Sequence, residues 1–361
     1  MTPRSGISVS FADAPAPVRR CAEQAAHLYD TPEWFRVETA SGTRPLLAWA
    51  ASEAGGVAYA TLCTSHASDP AWPYARADLF LREMAVTEAP ASGMLPSVLV
   101  GGRRPGHSSI VVNAAGADRE AIVERLMNTV RDHAVSEGYS SLLLSFVDES
   151  VATDLARGAG LPSLRFPSAP SWSLRLPGNS FDDWFGSLGR KVRFNEKATM
   201  RKLADFGFEW RELRETDIDW IVPLELAQYR KHGHDYGSVA ARRLHEAYLA
   251  VLGDRAWIAF AVDGRGQRAG FVSLIRHGER AWARQVGLGD EHAGVPLYFG
   301  LVYHAVIRWA YQTGVRELDF SVTADEVKRK RGASPRPSVA LAIPVVPSRL
   351  TVSPGFQPVF A

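Results

Sequence analysis

The sequence predicts a mixed α/β fold, of the α/β or α+β class, built from two similar halves. Three observations support this prediction. Strand-like and helix-like spacings of apolar residues alternate along the chain, a helix–glycine–strand pattern occurs twice, and 361 residues are too many for one ordinary single-core domain. The net charge is +2, from 41 basic and 39 acidic residues, so any contact with a polyanion must come from local clustering.

Apolar periodicity assigns the individual elements. The predicted helices cover residues 16–28, 31–40, 117–137, 181–203, 217–232, 238–252 and 295–313. The predicted strands cover residues 45–51, 57–64, 95–101, 109–113, 140–147, 256–263, 268–276, 280–288, 316–322 and 338–346. The helix at 295–313 is the clearest, because Pro296 lies in its first turn and Gly314 follows its apolar stripe.

The repeated pattern suggests a tandem duplication. In each half a helix ends at a glycine, Gly138 or Gly314, and a strand follows that carries a serine seven residues later, Ser145 or Ser321. The two glycines are 176 residues apart, about half the chain, as a duplication predicts. Chance recurrence of such units is the alternative. A proline-rich segment near residues 165–180 marks the boundary, which predicts domains at 1–172 and 180–361.

Several protein classes are excluded at this stage. Cys21 and Cys63 make neither a disulfide framework nor a metal-ligand set, and no His/Cys/carboxylate spacing predicts a metal. Neither serine of the repeat lies in a Gly-x-Ser-x-Gly elbow, which argues against a serine hydrolase. We expect a cytoplasmic protein without signal peptide or membrane span, because no stretch approaches 18 uninterrupted apolar residues.

A basic helix is the first candidate functional surface. The chain has only six lysines, and three of them lie within residues 191–202. On a helix, four cations fall within an arc of about 80°, namely Arg190, Arg193, Lys197 and Arg201, and Lys191 and Lys202 lie beside them. Such a stripe suits a polyphosphate or an RNA backbone. A solvated helix face is the alternative.

A second basic cluster, Lys328-Arg329-Lys330-Arg331, follows the strand predicted at 316–322. The carboxyl ends of central strands are where α/β sheets usually bind ligands. Cations at this point can hold a phosphate or stabilise the oxyanion of acyl transfer, and a solvated loop is the alternative. If the segment is extended, Lys328 and Lys330 share one face and Arg329 lies on the other.

Three features in order resemble the Fem-type, GNAT-related acyltransferases, the FemAB-like family of peptidoglycan-precursor aminoacyl transferases. They are Phe181-Asp182-Asp183-Trp184 before Gly189-Arg190-Lys191-Val192-Arg193, the helix from Pro296-Leu297-Tyr298-Phe299 to Trp309-Ala310, and Leu318-Asp319-Phe320 before Glu326-Val327-Lys328 and Arg331-Gly332. The sequence departs from the family at Ser321, where glycine is usual, and at Ala333, where an aromatic residue is usual.

The resemblance implies tandem GNAT-like domains, each a mixed central sheet flanked by helices, and acyl transfer to an amine. It implies catalytic roles for Lys328, Asp319 and Ser321. The predicted tRNA-binding residues are Arg190, Lys191, Arg193, Lys197, Arg201, Lys202, Lys330 and Arg331. The predicted acceptor-binding residues crowd the end of helix 217–232 or lie on helix 295–313, and they are Tyr229, His232, His234, Tyr236 and Tyr298. Solvated histidines are the alternative for that cluster.

The donor is either aminoacyl-tRNA or acyl-CoA. Residues 284–289 match the letters of a CoA diphosphate loop, but Asp290 and Glu291 would lie where the diphosphate binds, so we interpret the match as chance. We therefore predict an aminoacyl-tRNA co-substrate, no cofactor, and a small-molecule or peptidic amine acceptor, as in antibiotic or cell-wall biosynthesis. The alternatives are a CoA-dependent N-acetyltransferase and a non-catalytic RNA-binding or assembly protein.

Overall fold

The computed structural model describes residues 4–83, 93–161, 163–292 and 294–345, and the chain divides into two compact units. Unit 1 contains the described residues up to Pro170 and from Pro337 onward, and unit 2 is Ser171–Arg336. Each unit is a mixed sheet with helices against it, so the predicted fold class is confirmed. The end of the predicted second domain, residues 346–361, and the last residue of the strand predicted at 338–346 lie outside the described residues.

Unit 1 has the strand order β1-β2-β3-β4-β6-β13, in which β13 is Ser334–Pro344, and β5 pairs with β3. Neighbouring strands are antiparallel except β4 and β6, which run parallel. Its core lies between this sheet and helices α4 and α5. The elements are β1 Arg4–Ser8, α1 Ala16–Glu23, α2 Pro32–Ala40, β2 Leu46–Ala51, β3 Val57–Ser65, α3 Ala77–Glu83, β4 Ser97–Val100, β5 Ile110–Asn113, α4 Gly116–Ser136, β6 Ser141–Val147, α5 Glu149–Ala159 and β7 Leu164–Arg175, which ends in unit 2.

Unit 2 has the strand order β8-β9-β10-β11-β12-β7, and among its described strands the parallel pair is β11 with β12. Helix α8 packs on β11, and the helical stretch from α10 to α11 packs on β8, β9 and β10. The elements are α6 Phe181–Ser187, α7 Arg190–Lys202, β8 Gly207–Glu212, α8 Glu215–Lys231, α9 Ser238–Ala247, β9 Ala256–Val262, β10 Arg268–His277, β11 Arg280–Leu288, α10 Leu297–Phe299, α11 Val306–Thr313, β12 Glu317–Asp319, α12 Asp325–Lys330 and β13 Ser334–Pro344, which ends in unit 1.

The two units repeat one topology, as the duplication predicts. In both, four antiparallel strands are followed by a helix and by a fifth strand that is parallel to the fourth, and unit 1 adds β5 before that helix. A sixth strand pairs antiparallel with the fifth; it is β13 in unit 1, which comes last in the chain, and β7 in unit 2, which comes before the other five. Gly138 and Gly314 occupy equivalent places, since each lies between that helix and the parallel strand. Both adopt the left-handed conformation, with φ of 77° and 75°, which favours glycine at the end of a helix.

The element boundaries differ from prediction where side chains override periodicity. The helix predicted at 181–203 is two helices, α6 and α7, and the one at 295–313 is interrupted by a π-helical segment, Gly300–Ala305. The strand predicted at 316–322 ends at Asp319. The Asp319 carboxylate accepts a hydrogen bond from the Ser321 N–H, and Ser321 adopts the left-handed conformation, with a φ of 60°, which an extended strand does not allow. The sequence patterns missed β1, β7, β8, α3, α5 and α12.

Candidate active site and basic helix

The open end of the parallel strand pair in unit 2 forms the frame of the candidate active site. Strands β11 and β12 pair only from Arg280 to Trp282 and from Glu317 to Asp319. Beyond that point β11 continues beside β10 to Leu288, while β12 ends. The two strands therefore lose their hydrogen bonds to each other at their carboxyl ends, where α/β sheets commonly place ligands.

Asp319, Ser321 and Lys328, the three residues predicted to be catalytic, lie together at this end. The Ser321 N–H donates to Asp319 Oδ1 at 2.7 Å. Lys328 Nζ donates to the carbonyl oxygens of Ser321 and Val322 at 3.1 and 2.6 Å. The carboxylate and the ammonium group are thus held by the same turn of backbone. Their catalytic roles stay predictions.

This turn has an unusual backbone. Ser321, Thr323 and Ala324 adopt the left-handed conformation, with φ of 60°, 66° and 53°. Non-glycine residues rarely do so, at a cost of about 1–3 kcal/mol each in sparsely populated regions, and such residues concentrate at functional sites. The turn reverses the chain into α12 and brings Lys328 back to the strand end, where its two hydrogen bonds stabilise the turn.

Burial opposes the charges of both ionisable groups. Lys328 is only 3% exposed, and burial lowers its pKa to about 8, although the nearby Asp319 and Asp325 carboxylates favour the ammonium form. Burial raises the pKa of Asp319. The hydrogen bond from the Ser321 N–H and the positive charges of Arg336, Arg284 and Lys328 act in the opposite direction, and burial has the larger effect. The site therefore presents a cation and a carboxyl group whose pKa values are shifted toward the pH at which enzymes work.

The condition under which Lys328 and Lys330 would share one face, an extended segment, is not met. Residues Asp325–Lys330 form helix α12, with acidic residues in its first turn and basic residues in its last, an arrangement that complements the helix dipole. On a helix Lys328 and Lys330 are about 200° apart rather than on one face. Lys328 is buried, whereas Lys330 is exposed and pairs with Glu326 at 2.6 Å.

The predicted basic stripe lies on α7, and most of it is exposed. The exposed cations are Arg190, Lys191, Lys197, Arg201 and Lys202. Arg193 differs, because its guanidinium folds back onto α6 and donates to the carbonyl oxygens of Gly186, at 2.8 Å, and Leu188. Arg193 thus caps the C-terminus of α6 and helps to fix the angle between the two helices.

The opposite face of α7 is anchored by a buried ion pair. Glu196 is 2% exposed, and its carboxylate accepts from Arg331 Nη2 at 2.6 Å and pairs with His304 Nε2 at 2.7 Å. The Arg331 guanidinium also stacks on Phe299 and Tyr303, 4.4 and 4.6 Å from their ring centroids. Arg331 therefore holds the basic helix in place. Its contact with tRNA stays a prediction, and the burial of its side chain argues against that contact.

The predicted acceptor residues separate into two groups. Tyr229 and Tyr236 pack edge to face at 5.2 Å, and the Tyr236 hydroxyl donates to Glu225. His234 is half-buried, and His232 is exposed, 3.3 Å from Gln228. Tyr298 belongs instead to an aromatic cluster with Phe299 and Tyr303, at ring distances of 5.6 and 6.3 Å.

Sequence reasoning missed the buried carboxylates beneath both surfaces. Glu225 and His245, which are 0% exposed, share a hydrogen bond of 2.7 Å under Tyr236, and burial beside Glu225 raises the pKa of Tyr236. Glu196 is the corresponding group under α7. The sequence did contain one indication that Glu196 is buried. It is the one acidic residue within 190–202, and helical spacing places it on the side of the helix opposite Phe194 and the exposed cations.

The letters that resemble a CoA diphosphate loop lie within a strand. Arg284 to Leu288 belong to β11, where Phe271 pairs with Gly287 and the Gln285 N–H donates to Ser273 Oγ at 2.9 Å. A diphosphate site requires free backbone N–H groups at a helix N-terminus. The residues of this segment instead lie in a strand that pairs within the sheet. The interpretation of a chance match is thereby supported.

Comparison with known families now adds to this geometry. Residues 190–329 match the family model described as the acetyltransferase (GNAT) domain. Over these residues, which are less than half of the chain, the sequence is therefore similar to GNAT domains. The matched segment runs from the first residue of α7 into α12, so it includes both the basic helix and the Lys328 turn.

Solved structures share the fold over nearly the whole chain. FemX superposes with a TM-score of 0.57 at 10% identity, covering 96% of both chains. An Agrobacterium fabrum domain assigned to a lysylphosphatidylglycerol synthetase gives 0.50 at 10% identity, covering 91% of this chain and 90% of its own. A Bacteroides thetaiotaomicron protein of unknown function gives 0.50 at 11%, covering 93% and 98%. No curated protein sequence matches this one. The predicted family resemblance is confirmed at the level of the fold.

Two further features complete the description. Across the part of the chain that the structure describes, the helices are too short or too polar to cross a membrane. In unit 1, His27, Asp30 and His107 bring ligand atoms within 4.8 Å of one another, a grouping that the sequence spacing did not suggest. The two imidazole rings are stacked at 3.6 Å and 13°, so their in-plane lone pairs do not converge on one point as metal ligation requires.

Proposed function

We propose that this protein is an N-acyltransferase that transfers an aminoacyl group from aminoacyl-tRNA to the amine of a small-molecule or peptidic acceptor, such as a natural product or a cell-wall precursor. The observation that carries the proposal is the turn at the end of β12, where a buried lysine and a carboxyl group lie in a GNAT-type domain. That same domain begins with an exposed basic helix.

The proposed reaction needs no covalent enzyme intermediate. The acceptor amine attacks the carbonyl carbon of the aminoacyl ester, and the bond from that carbon to the 3′ oxygen of the tRNA breaks. An amide forms, and the tRNA leaves with its 3′ hydroxyl protonated. Asp319, whose pKa is raised by burial, accepts a proton from the amine and passes it to the leaving 3′ oxygen, which returns the carboxylate to its starting state. The Lys328 ammonium stabilises the oxyanion of the tetrahedral intermediate.

In this proposal the substrates use the surfaces that the sequence predicted. The exposed cations of α7, together with Lys330, bind the RNA backbone, since aligned cations give affinity that does not depend on sequence. Tyr229, Tyr236 and His234 contribute to the acceptor side, with His232 and Tyr298 as further contacts. The Fem-type resemblance supports aminoacyl-tRNA as the donor.

Acyl-CoA is the second candidate donor, because the matching family model is described as an acetyltransferase domain. The position of residues 284–288 in a strand argues against it. Incubating the protein with charged tRNA or with acyl-CoA and a panel of amines, followed by mass spectrometry, separates the two. We expect amide products from charged tRNA. If products form from acyl-CoA and not from charged tRNA, the proposal that aminoacyl-tRNA is the donor is wrong. Binding of tRNA without any product would indicate an RNA-binding protein.

The donor proposal also predicts how binding responds to salt. Replacing Arg190, Lys197 and Arg201 by alanine should weaken tRNA binding and flatten its dependence on salt, because each lost phosphate contact removes about 0.7–0.9 from the log–log slope. Filter binding at several salt concentrations measures this slope.

The control variant replaces Arg36, Arg157 and Arg265, which are exposed outside α7, by alanine and changes the net charge equally. An equal loss of tRNA affinity in both variants would mean that overall charge, rather than α7, binds the RNA.

A further inference from the structure

Phe194 is an exposed aromatic residue in the middle of the basic face of α7. Its side chain is 68% exposed. At 100° per residue it lies about 40° from Arg190, 20° from Arg201 and 60° from Lys197 and Lys191, so exposed cations lie to either side of it around the helix axis. The other large apolar residues that the described structure exposes to this extent, Val9, Val135 and Val239, are aliphatic.

The helix that displays Phe194 is held in place. Glu196, on the opposite face, joins α7 to Arg331 and His304, and Arg193 joins it to α6. Full burial of a phenylalanine is worth about 1.5–3 kcal/mol, which this position forgoes. The anchored helix therefore exposes an aromatic side chain to solvent among exposed cations. Packing in the core does not explain this exposure.

The charges around Phe194 select the class of ligand. Four flanking cations complement a polyanion, and a flat aromatic ring complements a nucleobase. Single-stranded RNA offers both groups, since its unpaired bases stack on aromatic side chains and its phosphates pair with Arg and Lys. Double-stranded RNA does not expose base faces for stacking.

The position of α7 relates this surface to the catalytic turn. Arg331, the partner of Glu196, is the residue that directly follows α12, which carries Lys328. A base held on the outer face of α7 is thus separated from that ion pair by roughly one helix diameter, about 10–12 Å with side chains. The reacting ester of an aminoacyl-tRNA is at a single-stranded end of the RNA, which fits this short separation.

We propose that Phe194 stacks on an unpaired base near the 3′ end of the donor RNA, while Arg190, Lys197 and Arg201 hold the neighbouring phosphates. This inference rests on the proposed function. It adds a contact that distinguishes single-stranded ends from duplex, which the cations by themselves do not.

The test compares two hairpin RNAs with the same stem, one with a single-stranded 3′ overhang and one blunt. Phe194→Leu keeps an apolar helix former of similar size, and Phe194→Trp keeps an aromatic ring. We expect Phe194→Leu to weaken binding of the overhang RNA by about 5- to 100-fold, the equivalent of 1–3 kcal/mol for one stacked base. Its binding of the blunt RNA and its salt slope should not change, and Phe194→Trp should bind like the wild type.

Two further measurements complete the test. A 2-aminopurine in the overhang should lose fluorescence on binding to the wild type and not on binding to Phe194→Leu. Val239→Ala removes an equally exposed apolar side chain from α9 and should have no effect.

The outcomes are distinct. Equal binding of overhang RNA by wild type and Phe194→Leu, with α7 cation variants still impaired, overturns the stacking and leaves the proposed function standing. Absence of RNA binding by the wild type contradicts the proposed function itself. Binding to vesicles that contain phosphatidylglycerol, lost in Phe194→Leu while RNA binding persists, would assign the surface to an anionic membrane instead.

Discussion

The two units share one topology and differ in what they place at the end of the parallel strand. The spacing of 176 residues that separates Gly138 from Gly314 also separates the starts of β6 and β12, Ser141 and Glu317, and the starts of α5 and α12, Glu149 and Asp325. The strand, the turn and the following helix are therefore in register between the units, and individual positions can be compared.

Unit 1 is apolar at the two positions that correspond to Asp319 and Lys328, which we propose as catalytic. Leu143, which corresponds to Asp319, is 1% exposed, and Ala152, which corresponds to Lys328, is 0% exposed. Ala152 belongs to the core between the sheet and the helices of unit 1, whereas Leu143 alternates with Leu142 and Leu144 of that core and is buried on the opposite face of the sheet. The comparison teaches that the fold supplies a strand, a turn and a helix in both places, whereas the two side chains that we propose as catalytic are present only in unit 2.

The largest expected effect comes from giving unit 1 the carboxylate of unit 2. Leu143→Asp should lower the free energy of unfolding by about 3–5 kcal/mol, because a charge without a partner would be buried in an apolar core. Chemical denaturation followed by circular dichroism measures this change. Leu143→Met is the matched control and should cost less than about 1.5 kcal/mol. Equal stability of Leu143→Asp and wild type would mean that unit 1 has its own polar site at this position.

The second effect comes from giving unit 2 an apolar residue in place of its lysine. Lys328→Met keeps most of the length of the side chain and removes the charge, so it should lower kcat by about 10²–10³, the usual loss for one oxyanion donor. The measurement is single-turnover aminoacyl transfer to the acceptor identified by mass spectrometry. Lys328→Arg should restore little activity, because the planar guanidinium is bulkier and directs its donors differently. Full turnover by Lys328→Met would remove Lys328 from the mechanism.

The pH dependence of activity and of stability tests the same difference between Lys328 and an apolar residue, and we expect a smaller effect than from Lys328→Met. The pKa of Lys328 is lowered to about 8, so the ammonium group loses its proton as the pH rises through 8, and kcat/KM should fall there. The effect on stability has the opposite sign. The folded-state pKa lies below the ordinary 10.5, so folding disfavours the charged form, and the wild type should gain stability relative to Lys328→Met between about pH 8 and 10.5. Rates that rise through pH 8 would indicate a general base instead.

Much of the fold was predictable from sequence, because it depends on periodicity and on glycine. The helix–glycine–strand units stand where the patterns put them, since Gly138 and Gly314 each terminate a helix with a left-handed residue. The patterns missed β7, whose Pro167 and Pro170 are typical of a linker, and α12, whose charged residues show no apolar stripe.

The site was predictable only in part. The resemblance to Fem-type acyltransferases suggested Asp319, Ser321 and Lys328, whereas the turn that joins them depends on hydrogen bonds between side chain and backbone that no periodicity encodes. Glu196 and Glu225 were missed for a similar reason. Each is a buried carboxylate paired with residues distant in sequence, His304 and Arg331 or His245, and such pairs appear only once the chain is folded.

The smallest expected effect separates the two lysines of α12. Lys330 is exposed, and its pair with Glu326 is an i,i+4 contact at the surface, worth about 0.3–0.5 kcal/mol. Lys330→Ala should therefore lower the free energy of unfolding by no more than this and leave kcat within about twofold of wild type, because the lysine that faces the strand end is Lys328. Denaturation and single-turnover rates measure the two quantities, and weaker binding of tRNA is the one larger change that the proposed role of Lys330 predicts. A loss of kcat in Lys330→Ala comparable to that in Lys328→Met would mean that the exposed lysine reaches the ester, and the equivalence between α12 and α5 would then no longer locate the catalytic residue.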